Sequence, residues 1–315
     1  MIVSVSRRTD IPAFYSEWFF NRIKEGFVYV VNPFNPKQVS KIELTPKTVD
    51  CFVFWTKDAE PMLNRLDEIE DFKYYFQFTI TSYRGDVEPG ARMKKDIVDT
   101  FRRLSDKIGK EKVIWRYDPI LLNDFYTKEY HYQWFEKFCM QLSGHTEKCI
   151  ISFLDLYKKT KRNTKELNIN SISENDMTDL ARNLATIAAK YKIDIETCSE
   201  GIDLSKYGMK KGKCIDDKII SRILNLPIEV KKDDTQREVC GCVKSVDIGQ
   251  YNTCKHHCLY CYANFNYKTV EDNCLKHNSK APILVDCLKG DEKIATREMK
   301  SIKSLNSYNE QINLF

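Results

Sequence analysis

The sequence predicts an α/β fold, a full or partial (β/α) barrel, with a cysteine-rich cluster-binding segment near its C-terminus. Short runs of β-branched and aromatic residues alternate about six times with runs of helical periodicity. Polar residues follow every predicted strand, as expected where parallel strands end at a ligand-binding edge. The main alternative, a doubly wound open sheet, is disfavoured because no glycine-rich phosphate loop follows any predicted strand.

The first half of the chain predicts alternating strands and helices. A strand at residues 2–5 precedes a helix that has Pro12 in its first turn and ends before Gly26. Residues 28–31 favour an extra strand or a hairpin. The remaining elements are strands at 51–55 and 74–80 and helices at 62–69 and 93–108. Buried strands joined by crossover helices favour a parallel sheet with right-handed connections.

The second half continues the alternation and then changes character. The predicted strands are 113–116, 149–153 and 193–196, and the predicted helices are 128–142 and 177–187. After residue 196 the periodicity is weak, except at 219–226 and in a short strand at 243–248. The sequence therefore predicts three parts: a barrel core at 1–200, a cysteine-rich iron–sulfur segment at 201–270, and a charged extension at 271–315.

The polar residues at the predicted strand ends form a candidate rim for a large polar ligand. Taken singly, each has an equally good interpretation as a helix cap or a surface ion pair, and Asp10 is a candidate cap for the first helix. The rim residues are Ser6, Arg7, Arg8, Thr9, Asp10, Trp55, Thr56, Lys57, Asp58, Thr79, Thr81, Arg116, Tyr117, Asp118, Ser152, Asp155, Glu196, Cys198 and Glu200.

Composition favours a globular cytoplasmic protein. With 42% hydrophobic residues in 315, the chain can bury a large core, and no run of eighteen apolar residues appears. The first residues become polar too early for a signal peptide, so we expect a reducing compartment in which the twelve cysteines can bind metal. A formal charge of +5 is compatible with a polyanionic partner but does not require one.

Three cysteines, Cys254, Cys258 and Cys261, have the spacing C-x3-C-x2-C. Three thiolates can hold three irons of a [4Fe-4S] cluster and leave the fourth iron without a protein ligand. A structural zinc site needs four protein ligands, and a cluster that only carries electrons usually has four cysteines. The run therefore indicates that another molecule completes the coordination.

At residues 251–264, Tyr-Asn-Thr-Cys-Lys-His-His-Cys-Leu-Tyr-Cys-Tyr-Ala-Asn, the chain resembles radical S-adenosylmethionine (SAM) enzymes. The string is most similar to the spore photoproduct lyase branch and to an uncharacterised bacterial family, domain of unknown function 1848. The resemblance implies that SAM chelates the open iron, beside an aromatic residue that corresponds to Tyr262. It also implies an external electron donor and cleavage of SAM to a 5′-deoxyadenosyl radical.

Most members of the superfamily carry this motif after the first barrel strand, near the N-terminus. Here a strand at 243–248 would complete the barrel just before the motif, which predicts a circularly permuted fold. SAM requires donors for its carboxylate and an acceptor for its ribose, and Arg7, Arg116 and Glu196 are the candidates. Tyr117 and Asp118 are the candidate catalytic residues.

A second set of thiols, Cys198, Cys214, Cys240 and Cys242, lies outside this run. Four thiols are enough for an auxiliary [4Fe-4S] cluster or a zinc site, but they can equally be small buried side chains. Apolar patterns around Cys51, Cys139 and Cys149 predict core positions, whereas Cys274 and Cys287 have no assigned role. His256 and His257 are predicted to be exposed loop residues.

The last five residues, from Gln311 to Phe315, resemble the peptide by which bacterial repair proteins bind the DNA sliding clamp. The alternative is that Leu314 and Phe315 pack back on the domain. Together with the lyase-like cysteine string, the clamp-like peptide favours a function in DNA repair or modification. Trp55 or Tyr117 could then stack on a base extruded from the duplex. The alternative for both residues is packing in the core. An iron–sulfur electron carrier or redox sensor and a zinc-stabilised DNA-binding module are the alternative functions.

Overall fold

The computed structural model of the protein describes residues 1–156 and 158–303. Its helices are α1 (Ile11–Phe14), α2 (Ser16–Glu25), α3 (Glu60–Leu63), α4 (Lys94–Ile108), α5 (Lys128–Leu142), α6 (Lys158–Asn163), α7 (Glu174–Lys190), α8 (Asp217–Leu224) and α9 (Tyr267–Leu275). Its strands are β1 (Ile2–Val5), β2 (Phe27–Asn32), β3 (Asn35–Glu43), β4 (Cys51–Thr56), β5 (Tyr74–Thr79), β6 (Val113–Ile120), β7 (Lys148–Phe153), β8 (Asp194–Cys198), β9 (Lys210–Gly212), β10 (Val246–Asp247) and β11 (Lys293–Thr296).

Eight parallel strands form the main sheet, in the order β10-β1-β4-β5-β6-β7-β8-β9. The predicted α/β class is therefore confirmed. Among the described residues β9 and β10 are the two edges of this sheet and do not pair, so the predicted full barrel is wrong. Closure would require an edge-to-edge ladder, and strands of three and two residues offer few hydrogen bonds for one.

A smaller sheet, in the order β11-β3-β2, adjoins the first crossover. Strands β2 and β3 form a hairpin, which is one of the two alternatives that the apolar run at 28–31 favours. Strand β11 pairs in parallel with β3, so part of the predicted extension at 271–315 is integrated into the fold. Trp18 adds to this attachment, because its indole N–H donates to the carbonyls of Ala281 and Ile283.

Side chains alternate between the two faces of the main sheet. One side, the helix face, packs against α1, α2, α4, α5 and α7; there Phe54, Phe76 and Trp115 meet Phe19 and Phe135. Because both faces of the sheet are apolar, the sequences of its strands are nearly continuous hydrophobic runs. Such runs are typical of a buried parallel sheet.

The opposite side, the segment face, is covered by residues 213–243, which include α8 and are called the crossing segment below. Ile219 and Ile220 of α8 pack in one apolar cluster with Val53 and Ile114 of the sheet. The crossing segment leaves the sheet after β9 and returns to it just before β10. Two strands of the sheet, β9 and β10, therefore come from residues 201–270, the predicted cysteine-rich segment; β10 lies within the strand predicted at 243–248, and β9 was not predicted.

Three elements differ from their predictions. The first helix is interrupted at Tyr15, which ends α1 and precedes α2. The helix predicted at 62–69 is one turn of α-helix followed by a 3-10 turn. Strand β6 continues to Ile120, so Tyr117 and Asp118 lie within it rather than after it. Among the described helices, none is both long and apolar enough to cross a bilayer.

Candidate metal centre

Strand β10 brings the cysteine run to the carboxyl edge of the sheet, beside β1. The carboxylate of Asp247, in β10, accepts hydrogen bonds from the Ser6 hydroxyl at 2.7 Å and from the Arg7 backbone N–H at 2.8 Å. Residues 6–10 and 248–261 therefore leave the sheet side by side. This edge is the expected location of a ligand site in a parallel α/β fold.

The three cysteines of the run lie close together in the loop 248–261. The Cys261 backbone N–H donates to the Cys258 carbonyl at 3.0 Å. Burial raises the pKa of the Cys254 thiol, and the charges of Asp10, Cys261 and Cys258 raise it further. A thiol in this setting becomes a thiolate only when a cation compensates its charge, as a bound metal does.

A buried charge network supports this loop. The Glu88 carboxylate lies 2.7 Å from the ammonium groups of both Lys57 and Lys94 and accepts a hydrogen bond from the Tyr260 hydroxyl at 2.5 Å. Burial alone would raise the pKa of Glu88, but the two lysines hold it well below its usual range. Tyr260 stands between the last two cysteines of the run, so the network fixes that part of the loop.

His256 is buried, with 4% of its surface exposed, so the prediction of an exposed loop residue is wrong for it. Its Nε2 lies 2.8 Å from the carboxylate of Asp10, which also accepts the Lys57 backbone N–H at 2.7 Å. Asp10 caps α1 as predicted, because it accepts the Ala13 backbone N–H at 3.0 Å. His257 is half-buried beside Glu271.

Two of the predicted SAM-binding residues, Arg7 and Tyr262, lie next to each other at this loop. The Tyr262 hydroxyl donates to the Arg7 carbonyl at 2.9 Å, and the Tyr262 side chain is 49% exposed. The Arg7 guanidinium lies 3.3 Å from the Ser245 hydroxyl and 3.7 Å from Asp233. A cation and an accessible aromatic ring thus flank the cysteine run.

Arg116 and Asp118 lie elsewhere on the carboxyl side of the sheet. They form an ion pair with each other, and Arg116 Nη1 is 2.8 Å from the Cys214 sulfur. The Arg116 guanidinium also lies 5.2 Å from the centre of the Trp55 ring. These residues therefore face the second set of cysteines.

Tyr117 and Glu196 have structural partners in the fold. Tyr117 is 1% exposed on the helix face, and its hydroxyl lies 2.9 Å from that of Ser82 and 2.7 Å from Nδ1 of His131. This environment matches the core-packing alternative that the sequence left open for Tyr117. The Glu196 carboxylate is 2.8 Å from the ammonium group of Lys148, the first residue of β7.

The second set of cysteines comes together at the end of the sheet that carries β8 and β9. The sulfurs of Cys198 and Cys214 are 3.1 Å apart. Cys214, Cys240 and Cys242 belong to one buried cluster, and the Cys242 sulfur accepts a hydrogen bond from the Ile215 backbone N–H at 3.4 Å. By contrast, Cys51, Cys139 and Cys149 are fully buried core residues, as predicted.

The two sets of cysteines can be compared with the geometry that a single metal ion or an iron–sulfur cluster requires. In residues 1–156 and 158–303, no three Cys, His, Asp or Glu side chains surround a common point as the ligands of a single ion do. A cubane does not require this, because each thiolate binds a different iron. Around the cysteine run, Thr9 Oγ1 and Asn264 Oδ1 are buried without a hydrogen-bond partner in the described structure. Buried polar atoms of this kind are usually satisfied by a ligand or by water, so the site fits a bound polar group.

The sequence did not identify Glu88, Lys94 or His256 as site residues. Glu88 and Lys94 lie in and just after the loop that follows β5, where no periodicity marks them. One usable signal was the charge of Lys57 directly after an apolar strand, since a buried cation at that position requires a partner. A second usable signal was the pair of histidines between the first two cysteines. A wholly exposed loop has no need of histidine there, so the pair indicates that part of the loop is buried.

Comparison with known proteins gives a family for this architecture. None of the curated proteins matches the chain. A family model, described as "Domain of unknown function (DUF1848)", matches residues 2–263, a span that runs from β1 through the cysteine run. The match covers both strands, β1 and β10, that form the edge carrying the site. The chain belongs to this family of unknown function, DUF1848.

Proposed function

We propose that this protein is a radical SAM iron–sulfur enzyme, in which Cys254, Cys258 and Cys261 hold a [4Fe-4S] cluster. The observation that carries the proposal is the pairing of β10 with β1, Val3 with Val246 and Ser4 with Asp247, in the parallel sheet. The cysteine run follows β10 directly, as the corresponding run follows the first barrel strand in the radical SAM superfamily. A cysteine run placed outside the sheet would have removed this support.

The proposal includes a circularly permuted partial barrel. Read from β10, the sheet continues through β1, β4, β5, β6, β7 and β8, each parallel to the last. In this order the strand that precedes the cysteines comes first in space although it comes late in sequence. The permutation explains why the motif lies in the last fifth of the chain and still reaches the ligand-binding edge.

The residues of the chain have separate tasks in this proposal. Asp10, through its bonds to His256 and to the backbone of Lys57, holds the loop against the sheet, and the Lys57 ammonium supplies positive charge near Cys258. Arg7 is the candidate partner for the SAM carboxylate. When bound and reduced, the cluster with SAM supplies one-electron cleavage to methionine and a 5′-deoxyadenosyl radical, which abstracts hydrogen from the substrate.

We further propose DNA as the substrate, in repair or modification. The support is the similarity of the cysteine string to the spore photoproduct lyase branch and of the last five residues to a clamp-binding peptide. Those residues lie outside the described part of the chain. Trp55, whose ring adjoins Arg116, remains a candidate for stacking on an extruded base.

Anaerobic reconstitution with iron and sulfide, followed by electron paramagnetic resonance of the reduced protein, tests the cluster. We expect about four irons per chain at the cysteine run and a signal that changes when SAM is added. Cys258→Ala should lose this signal. Cys274→Ala is the matched control, because Cys274 is the nearby thiol that contacts the Tyr15 hydroxyl and lies outside the run.

Two results would contradict the enzyme assignment. A signal that SAM leaves unchanged would favour a closed cluster and an electron carrier or redox sensor. Zinc without iron would favour the zinc-stabilised DNA-binding module.

The clamp interaction is tested separately by deleting Gln311 to Phe315 and measuring binding to a bacterial sliding clamp. We expect the deletion to abolish binding and to leave the iron content unchanged. Equal binding by the full chain and the deletion variant would remove this support for a DNA substrate.

A further inference from the structure

The chain between β7 and α7 concentrates positive charge at the carboxyl edge of the main sheet. Residues 158–165, called the basic stretch below, include α6 and have no acidic residue. Their cations are Lys158, Lys159, Lys161, Arg162 and Lys165. The formal charge of this stretch therefore equals that of the whole chain, +5. The side chains of Lys161, Arg162 and Lys165 are exposed.

The basic stretch reaches the loop that follows the cysteine run. The Arg162 guanidinium donates to the carbonyl of Phe265, which comes four residues after Cys261. In the main sheet β7, which precedes the basic stretch, is four strands away from β1. This contact therefore spans the carboxyl edge of the sheet, and the basic stretch and the cysteine run border the same surface.

Exposed aromatic rings lie beside these cations. Phe265 is exposed, and Tyr267, the first residue of α9, has 65% of its surface in contact with solvent. The Tyr267 ring stacks on that of His257, in the cysteine run, with 4.1 Å between the ring centres. Lys268, the next residue, is exposed as well. Rings and cations are thus interleaved on one surface next to the candidate cluster site.

We propose that the basic stretch, together with Phe265 and Tyr267, binds an unpaired strand of nucleic acid beside the cysteine run. This inference rests on the DNA substrate proposed above and adds the surface on which that DNA is held. Lysine and arginine attract the phosphates, and exposed aromatic rings stack on the bases, as in other sites for single strands. In a duplex the bases stack on one another, so a ring of the protein reaches a base only where it is unpaired or extruded.

The aromatic rings favour nucleic acid over an acidic protein as the partner. Charge alone does not distinguish the two partners, because a cationic surface attracts both. An acidic protein would use only the cations, whereas a nucleic-acid strand uses cations and rings together. The separate contributions of Lys161, Lys165 and Tyr267 therefore decide between the two partners.

Fluorescence anisotropy of a labelled single-stranded oligodeoxynucleotide of about 16 nucleotides, titrated with the full-length reconstituted chain at several salt concentrations, tests the cations. Each phosphate contact adds about 0.7 to the slope of log K against log salt. We expect the double variant Lys161→Ala/Lys165→Ala to lower this slope by about 1.4. Lys47→Ala/Lys110→Ala is the control and should keep the wild-type slope, because it removes two exposed lysines that precede β4 and β6, at the opposite edge of the sheet.

Two further titrations test the rings. We expect Tyr267→Ala to weaken binding of the oligonucleotide about 5- to 150-fold, the usual effect of losing one stacked base. Phe34→Ala, which removes an exposed ring from the turn between β2 and β3, should leave the affinity unchanged. An abasic oligomer of the same length, which keeps the phosphates and lacks the bases, should bind the wild-type chain more weakly than the oligonucleotide does.

Equal affinity for the abasic and the base-carrying oligomers would overturn the proposal and favour an acidic protein as the partner. An unchanged salt slope in Lys161→Ala/Lys165→Ala would overturn it as well. If Tyr267→Ala does not fold, the abasic oligomer decides, because it is measured on the wild-type chain.

Iron content and the response of the cluster to SAM, measured on the same preparations, separate this inference from the enzyme assignment. A cluster that responds to SAM in a chain that does not bind the oligonucleotide contradicts the surface alone. Oligonucleotide binding with the expected variant effects, in a chain whose cluster ignores SAM, supports the surface and contradicts the enzyme assignment.

Discussion

Glu88 is the residue on which the charge network beneath the cysteine run depends. It is 2% exposed, and its carboxylate lies 2.7 Å from the ammonium groups of two lysines, Lys57 and Lys94. Removal of one partner from a buried ion pair leaves an uncompensated charge, which is far more costly than loss of a surface pair. The network therefore contributes both to stability and to the position of Tyr260 in the loop.

We expect Glu88→Gln to lower the free energy of unfolding by about 3–5 kcal/mol, because it removes the buried carboxylate that pairs with the buried Lys57 and the half-buried Lys94. Urea denaturation followed by circular dichroism measures the change. Glu60→Gln is the control, since Glu60 pairs with Arg103 at the surface and should cost about 1 kcal/mol or less. Equal losses in the two variants would show that the Glu88 network is not buried in solution.

His131 should make stability depend on pH. Burial lowers its pKa to about 4, from an ordinary value of 6.5, and its ring bonds to Tyr117 and to the Leu121 carbonyl. The unfolded chain therefore takes up a proton at higher pH than the folded chain does. The stabilisation is fully present above pH 6.5 and is lost as the pH falls towards 4.

We expect the wild type to lose about 3 kcal/mol relative to His131→Gln between pH 7 and pH 4, at about 1.4 kcal/mol per pKa unit. Denaturant unfolding at several pH values measures both profiles. His145→Gln, at a half-buried histidine near the surface, should keep the wild-type profile. Parallel profiles for the wild type and His131→Gln would contradict the assignment.

At the scale of elements, the loop after β5 is in direct contact with the cysteine run. The Gly90 backbone N–H donates to the His256 carbonyl at 3.0 Å, and the Leu259 N–H donates to the Val87 carbonyl at 3.0 Å. A Cβ atom on Gly90 would lie 2.3 Å from the Lys255 carbonyl oxygen, which is closer than van der Waals contact allows. Only glycine permits the two loops to approach this closely.

We expect Gly90→Ala to separate the loops, to destabilise the protein by about 1–3 kcal/mol, and to reduce iron uptake on reconstitution. Gly85→Ala, in the same loop, is the control, because no heavy atom lies within 4 Å of a Cβ built there. Thermal unfolding and iron content are measured for both variants. Full iron uptake by Gly90→Ala would show that the loop contact does not support the site.

At the scale of the whole molecule, the crossing segment joins the two ends of the sheet over a shared apolar core. Ile220 of α8 is fully buried against the segment face. We expect Ile220→Ala to cost about 2–5 kcal/mol in a single unfolding transition, because it opens a cavity in that core. The same change at Ile294 of β11, which is 45% exposed, should cost about 1 kcal/mol at most. Two separate transitions would indicate that the segment folds independently.

Regular elements with strong patterns were predictable from sequence. Strand β1 and helix α5 have the bounds that their apolar spacing indicates, since each buries one consistent set of side chains. Strand β9, Lys-Lys-Gly, has no apolar pattern and is defined only by its hydrogen bonds to β8. Elements this short depend on their neighbours, so local sequence does not specify them.

The residues of the candidate site also fall into two groups, those that local sequence predicts and those that it does not. The cysteine run was recognisable because its spacing is local. The partners Glu88 and Asp10, by contrast, are 172 and 246 residues from Tyr260 and His256, which they contact. Arg116 was predicted as a SAM contact, and in the structure it lies beside Cys214 on β6, three strands away from β1 in the sheet. The position of Arg116 depends on the order of the strands in the sheet, and hydrophobic periodicity in the sequence does not reveal that order.

The pairing of β1 with β10 affects how the protein is made. Ser4 bonds to Asp247, 243 residues later in the chain, so on the ribosome the first strand emerges long before its outer neighbour. At about 5–20 residues per second, that interval lasts about 12–50 s. During synthesis one edge of β1 stays open to wrong partners, and the loop that carries the cysteine run can form beside it only after β10 has been made.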